Sequence, residues 1–127
     1  MTYRYVYVGE LTDRPDPLDW GGDPNVGNIP KMRCPDFPPS GPLEPWGRVL
    51  DMIGRGETPG KQVDWGAWAG RASKAQILTL IEEVYGEDEW YGPSSSMPHL
   101  FRRFQELVAY VNALPDHKEY ALVACEL

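Results

Sequence analysis

Residues 97–114 read Met-Pro-His-Leu-Phe-Arg-Arg-Phe-Gln-Glu-Leu-Val-Ala-Tyr-Val-Asn-Ala-Leu, and no other run constrains the chain as strongly. Leu100, Phe104, Leu107, Val111 and Leu114 recur at helical spacing, with Phe101 and Val108 widening the stripe. Side chains three and four positions apart share one helix face, so the pattern predicts an amphipathic helix over residues 98–114 lying on something apolar. Pro98 suits its first turn, where the missing N–H would be unbonded in any case. The outer face carries Arg102, Arg103 and Glu106, a mixed-charge surface suited to solvent.

Strands at the two ends of the chain are the candidates for what this helix covers. Residues 2–11 alternate Tyr3, Tyr5 and Tyr7 against Arg4, Val6 and Val8, residue types that fit a pleated surface. Residues 120–127 are apolar on both faces until Glu126, which predicts an interior strand with cover on both sides. Ser73-Lys74-Ala75-Gln76 has the form of a capping box, in which each side chain satisfies a backbone donor at a helix start. That helix is expected to run through Tyr85 and to end at Gly86 in a left-handed conformation. Leu43, Trp46, Val49, Leu50 and Ile53 predict a further short helix over residues 43–53. Residues 62–70 are read as one short strand, although Trp65 and Trp68 would also share a helical face.

Residues 12–45 differ in kind, for they hold nine of the thirteen prolines. Proline removes a backbone donor and biases its predecessor away from helix, so a long Pro/Gly-rich loop is expected there. The resulting expectation is a single α+β domain over residues 1–127. It has a small, mostly antiparallel sheet including both terminal strands, packed against two amphipathic helices at residues 73–85 and 98–114.

Chemical motifs are sparse. A Walker loop ending at Gly60-Lys61 would need glycine where Arg55 stands and a hydroxyl where Gln62 stands. Gly54 and Gly56 begin a dinucleotide fingerprint, but Pro59 occupies its third glycine position. His99, His117, Cys34 and Cys125 show no paired ligand spacing, and Glu82, Glu83 and Glu87 to Glu89 lack the spacing of a calcium loop. No metal or cofactor is therefore expected. Ser94-Ser95-Ser96 near His99 lacks a nucleophile elbow and is better read as capping the last helix. Asp116-His117 has the composition of a turn as much as of an acid–base pair.

A formal charge of −7 argues against nucleic-acid binding, which needs clustered Lys and Arg to displace counterions from phosphates. No run is long enough to span a bilayer, and the first residues lack a signal-peptide pattern, so a cytoplasmic protein is expected; such proteins usually keep cysteines reduced, while the redox state of Cys34 and Cys125 stays open. The acidic and aromatic run Glu87, Asp88, Glu89, Trp90 and Tyr91 is the foremost candidate surface, with carboxylates to steer a basic protein partner and rings to anchor it. Such a chain fits a small interaction module, for instance an inhibitor or immunity-type protein. A second reading places Trp20, Trp46, Trp65 and Trp68 around a pocket for a small molecule or carbohydrate. A third, an enzyme built on His117 and Asp116 with distant carboxylates, stays open, as does the oligomeric state.

Overall fold

The computed structural model describes residues 4–10, 37–39, 45–64 and 66–126. Its elements are β1 (Arg4–Glu10), α1 (Pro45–Gly54), β2 (Gly60–Asp64), β3 (Ala67–Ser73), α2 (Lys74–Tyr85), a 3-10 turn (Glu89–Tyr91), α3 (Pro98–Asn112) and β4 (Glu119–Glu126). The fold is α+β. The strands form one antiparallel sheet in the order β1-β4-β3-β2, so the last strand of the chain lies inside the sheet and pairs with both β1 and β3.

Register explains the layering. Val6 faces Ala124 and Val8 faces Leu122 across β1 and β4, while Trp68, Gly70 and Ala72 of β3 meet Ala124, Leu122 and Tyr120. These positions alternate onto one face, and Val6, Val8, Ala72, Tyr120, Leu122 and Ala124 join the same apolar cluster as Val49, Ile77, Leu80, Leu107 and Val111 from the helices. Ala121 and Val123 point the other way and are fully buried as well. Both faces of β4 are thus covered, as its unbroken apolar run predicts.

The helices divide this surface differently from the expected pair. α1 lies against β1 and β4, α2 against β3, and α3 meets mainly α2 and the 3-10 turn. The α3 stripe is as expected: Leu100, Leu107, Val111 and Leu114 are buried, with Phe104 and Val108 partly so. Ser73 caps α2 with both capping-box bonds in place, Gln76 N–H to Ser73 Oγ at 3.2 Å and Ser73 N–H to Gln76 Oε1 at 2.9 Å. Lys74, next in line, reaches from α2 to the far end of α3. Its Nζ donates to the carbonyls of Asn112 at 2.8 Å and Leu114 at 2.9 Å, where the helix leaves acceptors unbonded and carries partial negative charge.

Three local expectations are corrected. Residues 62–70 fall on two strands rather than one, β2 ending at Asp64 and β3 beginning at Ala67 and pairing antiparallel with it, and Gly66 before β3 takes a left-handed φ of 76°. Gly86 is right-handed, with φ −60° and ψ −30°. Its glycine is required by space, since a Cβ there would fall 2.5 Å from the Glu82 carbonyl oxygen. Ser95 does not cap α3 itself; its Oγ accepts the N–H of Met97, the residue before the helix, at 2.9 Å.

The close seating of α1 on the sheet rests on Gly60, which pairs with Gly70 across the β2–β3 hairpin. A Cβ at Gly60 would lie 2.9 Å from Ile53 Cγ1 and 2.8 Å from the Ala69 carbonyl oxygen, whereas one at Gly47, exposed on α1, meets nothing within 4 Å. Gly60→Ala is therefore expected to destabilise the fold by about 1–3 kcal/mol through overpacking. Gly47→Ala is expected to stabilise it by about 0.5–1 kcal/mol through helix propensity. Urea denaturation of the two variants beside the parent checks the opposite signs.

Candidate functional site

The end of α2 delivers the acidic run to the surface. Gly86 N–H donates to the Glu82 carbonyl and Asp88 N–H to the Tyr85 carbonyl, which turns the chain out of the helix. Asp88 then caps the 3-10 turn, its Oδ1 accepting the Trp90 N–H at 3.0 Å while its carbonyl accepts the Tyr91 N–H at 3.0 Å. Three residues per turn set neighbouring side chains about 120° apart, so Trp90 and Tyr91 cannot share an environment.

Trp90 points outward and, at 38% exposure, is the exposed large hydrophobic side chain of the described residues. Glu87 and Glu89 beside it are exposed, and among the described residues neither forms an ion pair. Together with Asp88, Gly92, Ser94 and Ser96 they line an open depression of about 620 Å³. Its lining thus combines carboxylates, two serines and an indole, a chemistry compatible with cationic groups.

Tyr91, grouped with these residues by sequence, turns inward. Its ring packs edge-on against Tyr85 with centroids 4.7 Å apart and tilted against Phe104 at 5.3 Å, and its hydroxyl donates to the Pro39 carbonyl. Burial, with a smaller contribution from the Asp88 charge and against the pull of Arg103, pushes its phenol up to about 12. It serves as a root for the turn, leaving Trp90 and the carboxylates as the exposed part.

The tryptophan pocket is only partly open to description. Trp20 and Trp65 lie outside the described residues. Trp46 is half-buried on α1 beneath the Arg4 guanidinium, 4.6 Å from the ring centroid, and Trp68 packs against the core from β3. Cys34 lies outside the described residues, and only the backbone of Cys125 is described, within β4. His99 is exposed in the first turn of α3 and His117 is exposed before β4. Asp116 pairs with Lys74 at 3.3 Å. Among the described residues no three His, Cys, Asp or Glu side chains gather into a metal site, and no helix is long and apolar enough to cross a membrane.

One feature of this face has no motif in the sequence. Arg48 of α1, largely buried, donates from Nε to Glu83 at 2.6 Å and from Nη2 to Glu57 at 3.3 Å, joining α1, the following turn and α2. The Glu83 hydrogen bond leads in holding its guanidinium above the ordinary arginine range. Beside it lies a cleft of about 200 Å³ floored by Met52 and Leu80. Its partners lie 9 and 35 residues away, a separation that no local pattern encodes. Compared with protein-family models, curated proteins and solved structures, the chain matches none of them.

The raised Tyr91 phenol has a consequence for stability at alkaline pH. Because its folded pKa exceeds the unfolded value of 10, its contribution is fully present below pH 10 and is lost as pH rises from about 10 to about 12. Parent and Tyr91→Phe should therefore differ by a constant amount in unfolding free energy up to about pH 9 and converge above it, as measured by denaturant titration at successive pH values.

Proposed function

We propose that the chain is a protein-interaction module that docks a basic surface of a partner protein on the turn around Trp90, in the manner of an inhibitor or immunity-type protein. The observation that carries this reading is a single arrangement: Trp90 stands exposed in a depression whose flanking carboxylates, Glu87 and Glu89, form no ion pair among the described residues. Unpaired carboxylates steer a basic partner toward the turn and favour its orientation there. A tryptophan that leaves water on docking is the residue type most able to act as an anchor.

Other features agree with it. Glu82 on the last turns of α2 is exposed and unpaired among the described residues, so the acidic field extends from the helix into the turn. Glu57, Glu83 and Asp51, by contrast, are engaged by Arg48 or Arg55 and serve the joint between α1 and α2. We assign the docking face to Glu82, Glu87, Glu89 and Trp90 with the serines at 94 and 96, and Tyr91 lies beneath it. Trp46 and Trp68 line neither of the two depressions described above, and Trp20 and Trp65 lie outside the described residues.

Affinity capture from the source cells with the tagged full chain, followed by the same capture with Glu87→Lys combined with Trp90→Ala, tests the proposal. The expected result is a basic protein retained by the parent and released by moderate salt. The double variant, still folded by circular dichroism, should bind it at least about thirtyfold more weakly, the scale of a truncated anchor residue. A partner held equally well by both forms would place the interface elsewhere.

A further inference from the structure

Of the proline-rich tract, residues 37–39 are described, and they are held from both sides. Phe37 is buried, and its N–H donates to the Val6 carbonyl of β1 at 3.1 Å. The Tyr85 hydroxyl donates to the Pro38 carbonyl at 2.6 Å, and the Tyr91 hydroxyl donates to the Pro39 carbonyl. Proline offers no backbone donor but keeps its acceptor, so two successive prolines present two carbonyls; Pro38 is buried and Pro39 exposed, and each carbonyl accepts from a tyrosine hydroxyl. The two tyrosines come from different elements, Tyr85 from the end of α2 and Tyr91 from the end of the 3-10 turn, and their rings are in contact.

We propose that residues 37–39 are a latch for the Trp90 turn. Seated between β1 and the Tyr85–Tyr91 pair, they fix the turn in the shape that directs Trp90 outward, and their release reshapes the acidic depression. The path is short. Tyr91 directly follows Trp90, and both amides are bonded to Asp88, the Trp90 N–H to its carboxylate and the Tyr91 N–H to its carbonyl. Withdrawal of the Pro39 carbonyl frees the Tyr91 hydroxyl, and the turn loses the contact that roots it. Any event that lifts this strap then lowers affinity at Trp90 without touching the docking surface, by shifting the population of the presenting shape. That consequence for binding rests on the docking function proposed above; the coupling between strap and turn does not.

Hydrogen exchange of the full-length chain, read amide by amide, tests the coupling without a partner. Tyr85→Phe keeps the ring and removes only the hydroxyl bound to Pro38. It is expected to accelerate exchange at Phe37, Trp90 and Tyr91 together by about fivefold to tenfold, the effect of one lost hydrogen bond, with Leu122 in β4 unchanged. Asp88→Ala perturbs the turn from its other side and is expected to accelerate Phe37. Acceleration confined to Phe37 in the first variant, an unchanged Phe37 in the second, or uniform acceleration that includes Leu122 would each overturn the latch. None of these results bears on the docking surface, which falls instead if reversing the charge at Glu87 leaves partner binding intact while the exchange pattern holds.

Discussion

The fold depends on burying β4 on both faces. Tyr120, Leu122 and Ala124 enter the layer shared with the helices, while Ala121 and Val123 are buried on the reverse. A strand with no polar face is stable only in the interior of a sheet, so β4 must find a partner on each side, and it takes β1 from the start of the chain and β3 from its middle. Pairings this distant in sequence carry a large loop-closure cost, which a strand of continuous apolar residues offsets through burial. The Tyr120 hydroxyl completes the arrangement by donating to the Pro115 carbonyl at 2.5 Å, tying the turn that leads out of α3 to the strand it enters.

The candidate site is built outward from that layer. α2 packs on β3 and ends at Tyr85, whose ring meets Tyr91 and Phe104; the same three rings fill the junction of α2, the 3-10 turn and α3. Those edge-on and tilted contacts seat the inward side of the turn on the core, and the Tyr91 hydroxyl adds a hydrogen bond to the Pro39 carbonyl. With Tyr91 committed to the core, Trp90 is forced to the outside, where Glu87 and Glu89 already stand. Exposure of a large apolar ring is thus a consequence of how its neighbour packs.

Much of this was legible in the residues. The α3 stripe, the Ser73-to-Gln76 capping box and the doubly apolar β4 each follow from local patterns whose physical basis is periodicity or a short-range hydrogen bond. The break between β2 and β3 was not legible, because Val63, Trp65 and Ala67 alternate in the sequence as they would in one strand. The inward course of Tyr91 was hidden for a related reason. Proximity to a charge run says nothing about which way the next side chain faces. The Arg48 joint was equally invisible, since its geometry exists only once α1 and α2 are side by side. The proline-rich tract, read as a long loop, lies mostly outside the described residues, and Trp20 and Trp65 with it.

If a partner docks on this chain, the Trp90 turn is where it should touch. Amide chemical-shift mapping of the full-length protein, titrated with its captured basic partner, measures this directly. Perturbations centred on Glu87, Asp88, Glu89, Trp90 and the serines at 94–96, fading along α2 toward its first turn, are the predicted result. Perturbations centred on the Lys74 end of α2, on β2, or on the outer face of α3, with the Trp90 turn unmoved, would contradict it.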